Sequence, residues 1–157
     1  MALALFLATL AQGVYADAMT IRGAHPDFLV ATAILCAMFC DANEGAGIGF
    51  FAGLLHACLA TPPQGGFGSL IVSRTLVGFG VGWMEERIFR DTPLLALALV
   101  PLGTLLAEGL FYLFAPQAHP LHWARLVGLT AIYNTVLAWP LYLLLHRLLG
   151  KHREVHS

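Results

Sequence analysis

Charged side chains are scarce in this chain of 157 residues: they make up 11% of it, whereas a soluble domain carries roughly 25%. The formal net charge is only -1, and the Lys and Arg residues are scattered. The sequence therefore offers no basic face of the kind that nucleic acid requires. Hydrophobic residues instead make up 59% of the chain, which predicts an integral membrane protein in contact with the lipid bilayer.

Signatures of catalysis and metal binding are also missing. The sequence has no Gly-x-Ser-x-Gly elbow, no His-Glu-x-x-His pair, no phosphate loop and no dinucleotide fingerprint, which argues against an enzyme. The cysteines lie in apolar runs and are expected to be reduced packing residues: Cys36, Cys40 and Cys58. The seven histidines lack surrounding ligands at metal spacing, so we expect no metal and no cofactor. His56, on an apolar helix, is expected to be a hydrogen-bonded interior group.

Apolar residues fall into six runs separated by short polar or Gly/Pro-rich breaks. The runs are Ala2 to Met19, Phe28 to Cys40, Gly45 to Ala60, Phe67 to Met84, Pro93 to Ala115 and Trp123 to Leu149. At about 20 residues per span they consume nearly the whole chain, which predicts one transmembrane domain over 1-157. We expect an all-α polytopic membrane protein, a compact bundle of about six transmembrane helices.

Three of these runs raise questions of their own. The second and third runs are short, so they are either extended by flanking residues or folded as a re-entrant hairpin. The first run could be mistaken for a signal peptide, but it has no positively charged leader. We therefore expect it to be retained as a membrane anchor.

The basic residues predict an orientation. With the N-terminus in the cytoplasm, five Lys and Arg residues lie inside and two lie outside, which follows the positive-inside tendency. The inner residues are Arg87, Arg90, Arg147, Lys151 and Arg153, and the outer ones are Arg22 and Arg125. Both termini are therefore predicted to be cytoplasmic.

Glycine recurs every four residues in the third run, at Gly45, Gly49 and Gly53. Small side chains at this spacing make a groove along one helix face, where another backbone can approach closely. The occupant of this groove is either another helix of the same chain or the membrane helix of a partner. In the fourth run, Arg74, Gly78 and Gly82 follow the same four-residue spacing.

That arginine, Arg74, lies inside an apolar run. The free energy of inserting an unpaired arginine at bilayer depth is at least ~2.5 kcal/mol, so the protein must supply a counter-charge or a water-filled cavity. Glu108, in the fifth run, is the obvious counter-charge. Thr104 lies one turn before it, and Asn134 provides a polar position in the sixth run.

We expect Arg74, Glu108 and Asn134 to meet in one buried network. The network is either a structural lock that fixes the order of the helices or a site for a proton or ligand. The absence of a second acid beside it in the sequence favours the lock.

Six segments in order carry a family resemblance. They are Gly23 to Leu29, Gly49 to Leu55, Leu76 to Gly82, Phe89 to Leu94, Leu105 to Glu108 and Tyr133 to Tyr142. Together they span nearly the whole chain and resemble the rod shape-determining protein MreD family. The chain departs from the family pattern at His56 to Cys58 and at 61-65, so no role is carried over to those positions.

The resemblance implies a non-enzymatic component of the bacterial inner membrane, in the elongation machinery that builds lateral cell wall. It implies the bitopic protein MreC as a partner, with RodA, a class B penicillin-binding transpeptidase and MreB in a larger complex. The family also resembles the substrate-binding S component of energy-coupling factor vitamin transporters, which gives an alternative function.

The two functions assign different roles to the same residues. A scaffold would receive the membrane helix of MreC on the glycine face or an adjoining cleft, with Arg87 and Arg90 in a cytoplasmic contact. A transporter component would bind a small molecule among the polar residues Arg74, Glu108 and Asn134, in a pocket that opens outward. The short Gly/Pro-rich outer loops favour the scaffold, because a vitamin pocket should show more polar and aromatic groups converging from them.

Overall fold

The structure is a computed structural model that describes residues 1-16, 18-60, 66-87 and 93-153. Within these ranges it contains six α-helices and no β-strand. The helices are α1 (Ala2–Tyr15), α2 (Phe28–Ala37), α3 (Ala42–Leu59), α4 (Phe67–Arg87), α5 (Pro93–Phe114) and α6 (Pro120–Arg153). The all-helical class predicted from the sequence is confirmed.

Helix α2 lies at the centre of the fold. It contacts each of the five other helices, and its residues from Leu29 to Ala37 are all buried. Its side chains are apolar nearly all round, which suits a helix with no outward face. Asp27 caps its N-terminus, because the Oδ1 atom accepts a hydrogen bond from the Val30 N–H at 2.9 Å.

The two short apolar runs form two separate helices. The second run is helical only as far as Ala37, and Met38 to Cys40 follow in a turn. The third run is extended at its start, because Asp41 accepts a hydrogen bond from the Glu44 N–H and the helix begins at Ala42. The third run is thus extended by flanking residues at its start, while the re-entrant arrangement of this helix pair stays a prediction.

The glycine face of α3 packs directly against α4. A Cβ atom built on Gly53 would lie 2.7 Å from the Cα atom of Ile71. Built on Gly45 or Gly78, it would overlap the backbone of the other glycine, while Gly49 and Gly82 also lie against opposing backbone. Of the two occupants that the sequence left open for this face, a helix of the same chain is the one observed, so these five glycines leave no room for a partner helix.

The five outer helices surround α2 as an open ring. Going around the ring, α1 contacts α3, α3 contacts α4, α4 contacts α5 and α5 contacts α6. Within the described residues α1 and α6 make no such contact. The ring is therefore open between the first and last helices, beside the start of α2.

Two stretches of the described chain are long and apolar enough to cross a membrane by length and composition, Phe67–Glu85 and Pro120–Leu145. Three other apolar helical stretches are shorter: Ala2–Tyr15, Phe28–Ala37 and Ala98–Phe114. The two longer stretches point to membrane association. The six membrane spans and the cytoplasmic termini stay predictions.

Candidate functional site

The polar residues gather at one end of the bundle, where α1, α3 and α5 end and α2, α4 and α6 begin. This is the end that the charge pattern predicts to face outward. Arg74 lies deepest among the charged groups there, with its side chain only 3% exposed. Its surroundings define the site.

Arg74 is held by its own helix, α4, and by α5. Its Nη2 atom donates a hydrogen bond to Glu108 Oε1 on α5, forming an ion pair. Its Nη1 atom donates to Ser73 Oγ at 3.0 Å and to the Ala107 carbonyl at 3.4 Å. The guanidinium carbon lies 5.8 Å from the centroid of the Phe111 ring, within the range of a cation–π contact. The structure thus brings together the two charges that the sequence suggested as a pair.

A second carboxylate lies beside this pair. Asp27 Oδ2 is 3.9 Å from Arg74 Nη2, and the Asp27 side chain is 6% exposed. The expectation that no further acid accompanies the network is therefore wrong. Asp27 is buried because it caps α2, and the cap of a central helix is enclosed by the helices around it.

Asn134 joins the site through Asp27. Its Oδ1 atom accepts a hydrogen bond from the Asp27 backbone N–H at 2.9 Å, and its Nδ2 atom donates to Thr104 Oγ1 at 3.1 Å. The Thr104 hydroxyl donates in turn to the Val100 carbonyl at 2.8 Å. Asn134 and Thr104 therefore fix the start of α2 against α5 and α6, and so position the Asp27 carboxylate.

His56 completes the polar cluster in a way the sequence did not suggest. Its Nδ1 atom lies 3.6 Å from Asp27 Oδ2, longer than a hydrogen bond. That buried nitrogen has no hydrogen-bond partner within the described chain. The prediction of a hydrogen-bonded interior histidine is thus wrong for Nδ1. An unpaired buried polar atom is unusual enough to suggest a role.

These groups line a cavity of about 580 Å³. It lies between α1 and α6, with Gln12 on one side and Thr130 on the other, and with Asp27, His56, Arg74 and Glu108 together in its lining. Aromatic and aliphatic side chains complete the wall: Leu59, Leu70, Phe111, Trp123, Leu126 and Val127. Most of these polar and aromatic groups come from the helices themselves and not from the outer loops.

The third cysteine and the predicted cytoplasmic contact lie outside this cluster. Cys36 and Cys40 are buried as expected, whereas Cys58 is exposed. Arg87 is the last residue of α4, and Arg90 falls outside the described residues. Nothing in the described part of the chain bears on what they contact.

One sequence signal pointed to Asp27. An aspartate directly before an apolar run is an N-cap signal. The same signal occurs at Asp41, which stays exposed and lies at the other end of the bundle. Capping alone therefore could not identify which aspartate joins the site.

The arrangement suits binding better than metal chemistry. Across residues 1-16, 18-60, 66-87 and 93-153, no group of three or more His, Cys, Asp or Glu side chains is placed to hold a metal ion. Two carboxylates, a guanidinium and an imidazole can instead orient a polar molecule or lock helices together. Comparison with known proteins finds no matching family model, no similar curated protein and no similar solved structure.

Proposed function

We propose that this chain is a non-enzymatic scaffold in the membrane machinery that builds the lateral cell wall of rod-shaped bacteria, the role implied by its resemblance to the MreD family. One observation carries the proposal. Three of the six segments behind the resemblance supply Asp27, Glu108 and Asn134, and these residues meet in one polar cluster. A family pattern made of weak separate pieces gains weight when the pieces converge in space.

The proposed location is the bacterial inner membrane, crossed several times, with both termini in the cytoplasm. Large apolar side chains on the outward surfaces of the helices support it. Leu3 on α1 is 70% exposed, Leu113 on α5 is 73% exposed and Val136 on α6 is 69% exposed. Exposed apolar surface of this extent is costly in water and is expected against lipid.

In this proposal the chain holds MreC in the membrane plane, so that the outer domain of MreC can act on RodA and its transpeptidase. Because α4 covers the glycine face, the MreC helix must use another apolar surface of the bundle. The segment with Arg87 and Arg90 would face the cytoplasm, where MreB is located. The buried cluster would give the bundle the rigidity that a docking body needs.

Co-purification tests the scaffold function directly. The chain, tagged and expressed with MreC from the same genome, should retain MreC in mild detergent at a fixed stoichiometry. An unrelated bitopic protein of similar helix length is the control and should not be retained. Depletion of the chain should also make rod-shaped host cells round. A correctly folded chain that leaves MreC behind, in a host that stays rod-shaped without it, would overturn the proposal.

Binding of a small molecule is the second candidate function, as in the S component of a vitamin transporter. The cavity of about 580 Å³ favours it, because this volume lies within the range of ligand sites and charged groups converge on one wall. Mass spectrometry of the gently purified chain tests it. A tightly bound small molecule at one copy per chain is the expected result, and a cavity occupied only by water would count against it.

A further inference from the structure

We propose that the cavity binds a small organic cation, with its ammonium-type group at Asp27 and its apolar body against the aromatic and aliphatic wall. This inference rests on the second candidate function and names the class of ligand. It does not depend on whether the chain also binds MreC. Three observations lead to it: the charge of the cavity, a carboxylate oxygen with open hydrogen-bonding capacity, and the composition of the wall.

The charged groups of the described lining do not balance. Asp27 and Glu108 supply two carboxylates and Arg74 supplies one guanidinium, so one negative charge is left over when the two lining histidines, His25 and His56, are neutral. Glu108 takes the hydrogen-bonded position on the guanidinium, while Asp27 stands 3.9 Å from it. Asp27 is therefore the undercompensated group. A surplus charge held away from bulk water favours a ligand of opposite sign.

Asp27 presents an open acceptor at the cavity wall, and His56 holds a second, buried acceptor beside it. Asp27 Oδ1 accepts from the Val30 N–H, whereas the contacts of Oδ2 within the described residues are longer than hydrogen bonds, at 3.6 Å to His56 Nδ1 and 3.9 Å to Arg74 Nη2. His56 Nδ1 has no partner within the described residues, and it accepts a hydrogen bond when the ring proton is on Nε2. An ammonium group at the cavity wall can donate to Asp27 Oδ2, the oxygen that has no hydrogen-bond donor within the described residues.

The size and wall of the cavity favour an organic molecule over a bare ion. A volume of about 580 Å³ is far larger than one ion needs and falls among sites for drug-sized ligands. The charged groups lie together on one wall, and the remaining lining includes Phe111, Trp123 and four aliphatic side chains. A molecule with a positive group at one end and an apolar body matches this division.

The ammonium group has two possible sources, a free amine or the headgroup of an aminophospholipid that enters between α1 and α6. Both present the same chemistry to Asp27. They are separated by comparing nanodiscs of phosphatidylglycerol alone with nanodiscs that also contain phosphatidylethanolamine. Competition by phosphatidylethanolamine assigns the site to the lipid, whereas unchanged probe binding assigns it to a soluble amine.

The test uses three probes of similar shape and different charge: phenethylamine, the neutral phenethyl alcohol and the anion 3-phenylpropanoate. Binding to the chain in phosphatidylglycerol nanodiscs is measured by calorimetry and by the shift in thermal unfolding. Phenethylamine should bind at least tenfold more tightly than either of the other probes. Equal binding of the three, or no binding of the amine, overturns the proposal without any variant being made.

A matched pair of variants locates the cation. Asp27→Asn keeps an oxygen to cap α2 but removes the charge, and it should weaken phenethylamine binding at least tenfold. Asp41→Asn makes the same change at the cap of α3, outside the cavity, and should change binding less than twofold. Equal effects of the two variants overturn the assignment to Asp27. Retention of MreC is measured separately, so failure of the scaffold function is distinguishable from failure of this site.

Discussion

Loss of the Arg74 guanidinium should destabilise the bundle more than loss of the Glu108 charge. Arg74→Met removes the counter-charge of Glu108 and Asp27 together, and leaves Ser73 without its donor. Breaking a buried ion pair from one side costs roughly 3–5 kcal/mol. Because the Glu108 side chain is 17% exposed and borders the cavity, we expect the lower end of that range, about 3 kcal/mol.

Glu108→Gln should cost less, about 1–2 kcal/mol. The amide keeps an oxygen that accepts from Arg74 Nη2, and Asp27 remains nearby at 3.9 Å as a counter-charge. The double variant should then cost less than the sum of the two single variants, by about 1 kcal/mol, because the second change removes a charge that the first has already left unpaired.

The measurement is unfolding in mixed micelles by increasing SDS, followed by circular dichroism. Arg147→Met is the matched control, since Arg147 is exposed on α6 and its loss should stay within about 0.5 kcal/mol. The reasoning is refuted if Arg74→Met costs no more than Arg147→Met. It is also refuted if the two changes at the ion pair are strictly additive.

Three further predictions follow from the packing, the network and the orientation. Gly49→Ala places a Cβ atom 2.8 Å from a backbone carbonyl carbon of α4, and it should lower the free energy of unfolding by about 1–3 kcal/mol. Gly47 lies in the same helix with open space around it, so Gly47→Ala should be neutral or stabilising in the same SDS titration. Asn134→Ala leaves the buried N–H at the start of α2 without its acceptor and should cost about 1–3 kcal/mol, with a loss of amide-exchange protection in α2. In a cysteine-free background, Arg22→Cys should react with an impermeant maleimide only from outside the cell and Arg147→Cys only from inside; the reverse pattern would disprove the orientation.

Much of the helical framework was predictable from the sequence. The runs that begin at Phe67 and Pro93 begin helices α4 and α5 at the same residues. The pairing of Arg74 with Glu108 followed from the cost of an isolated charge in lipid and from the presence of an acid in another apolar run. Helix ends were less accurate, since α1 ends at Tyr15 and α6 continues to Arg153.

The cavity and its second acid were not predictable in the same way. Asp27 and Asn134 are 107 positions apart, and their hydrogen bond depends on how α2 and α6 pack. His56 also joins the site only because the end of α3 lies beside the start of α2. No local pattern distinguishes His56 from an ordinary helix position, and the N-cap signal of Asp27 is shared by Asp41, which lies outside the site.

The sequence by itself determined that the chain is helical and that a buried arginine needs a partner. Helix formation follows from hydropathy and capping, which depend on neighbouring residues, and the free-energy cost of burying a charge depends on the surrounding solvent. The tertiary structure alone decided which surfaces meet. Helices that are apolar nearly all round carry little information about their inward face, since lipid and protein interior are similarly apolar. The packing of α4 on the glycine face, the opening between α1 and α6 and the burial of Asp27 all depend on that choice.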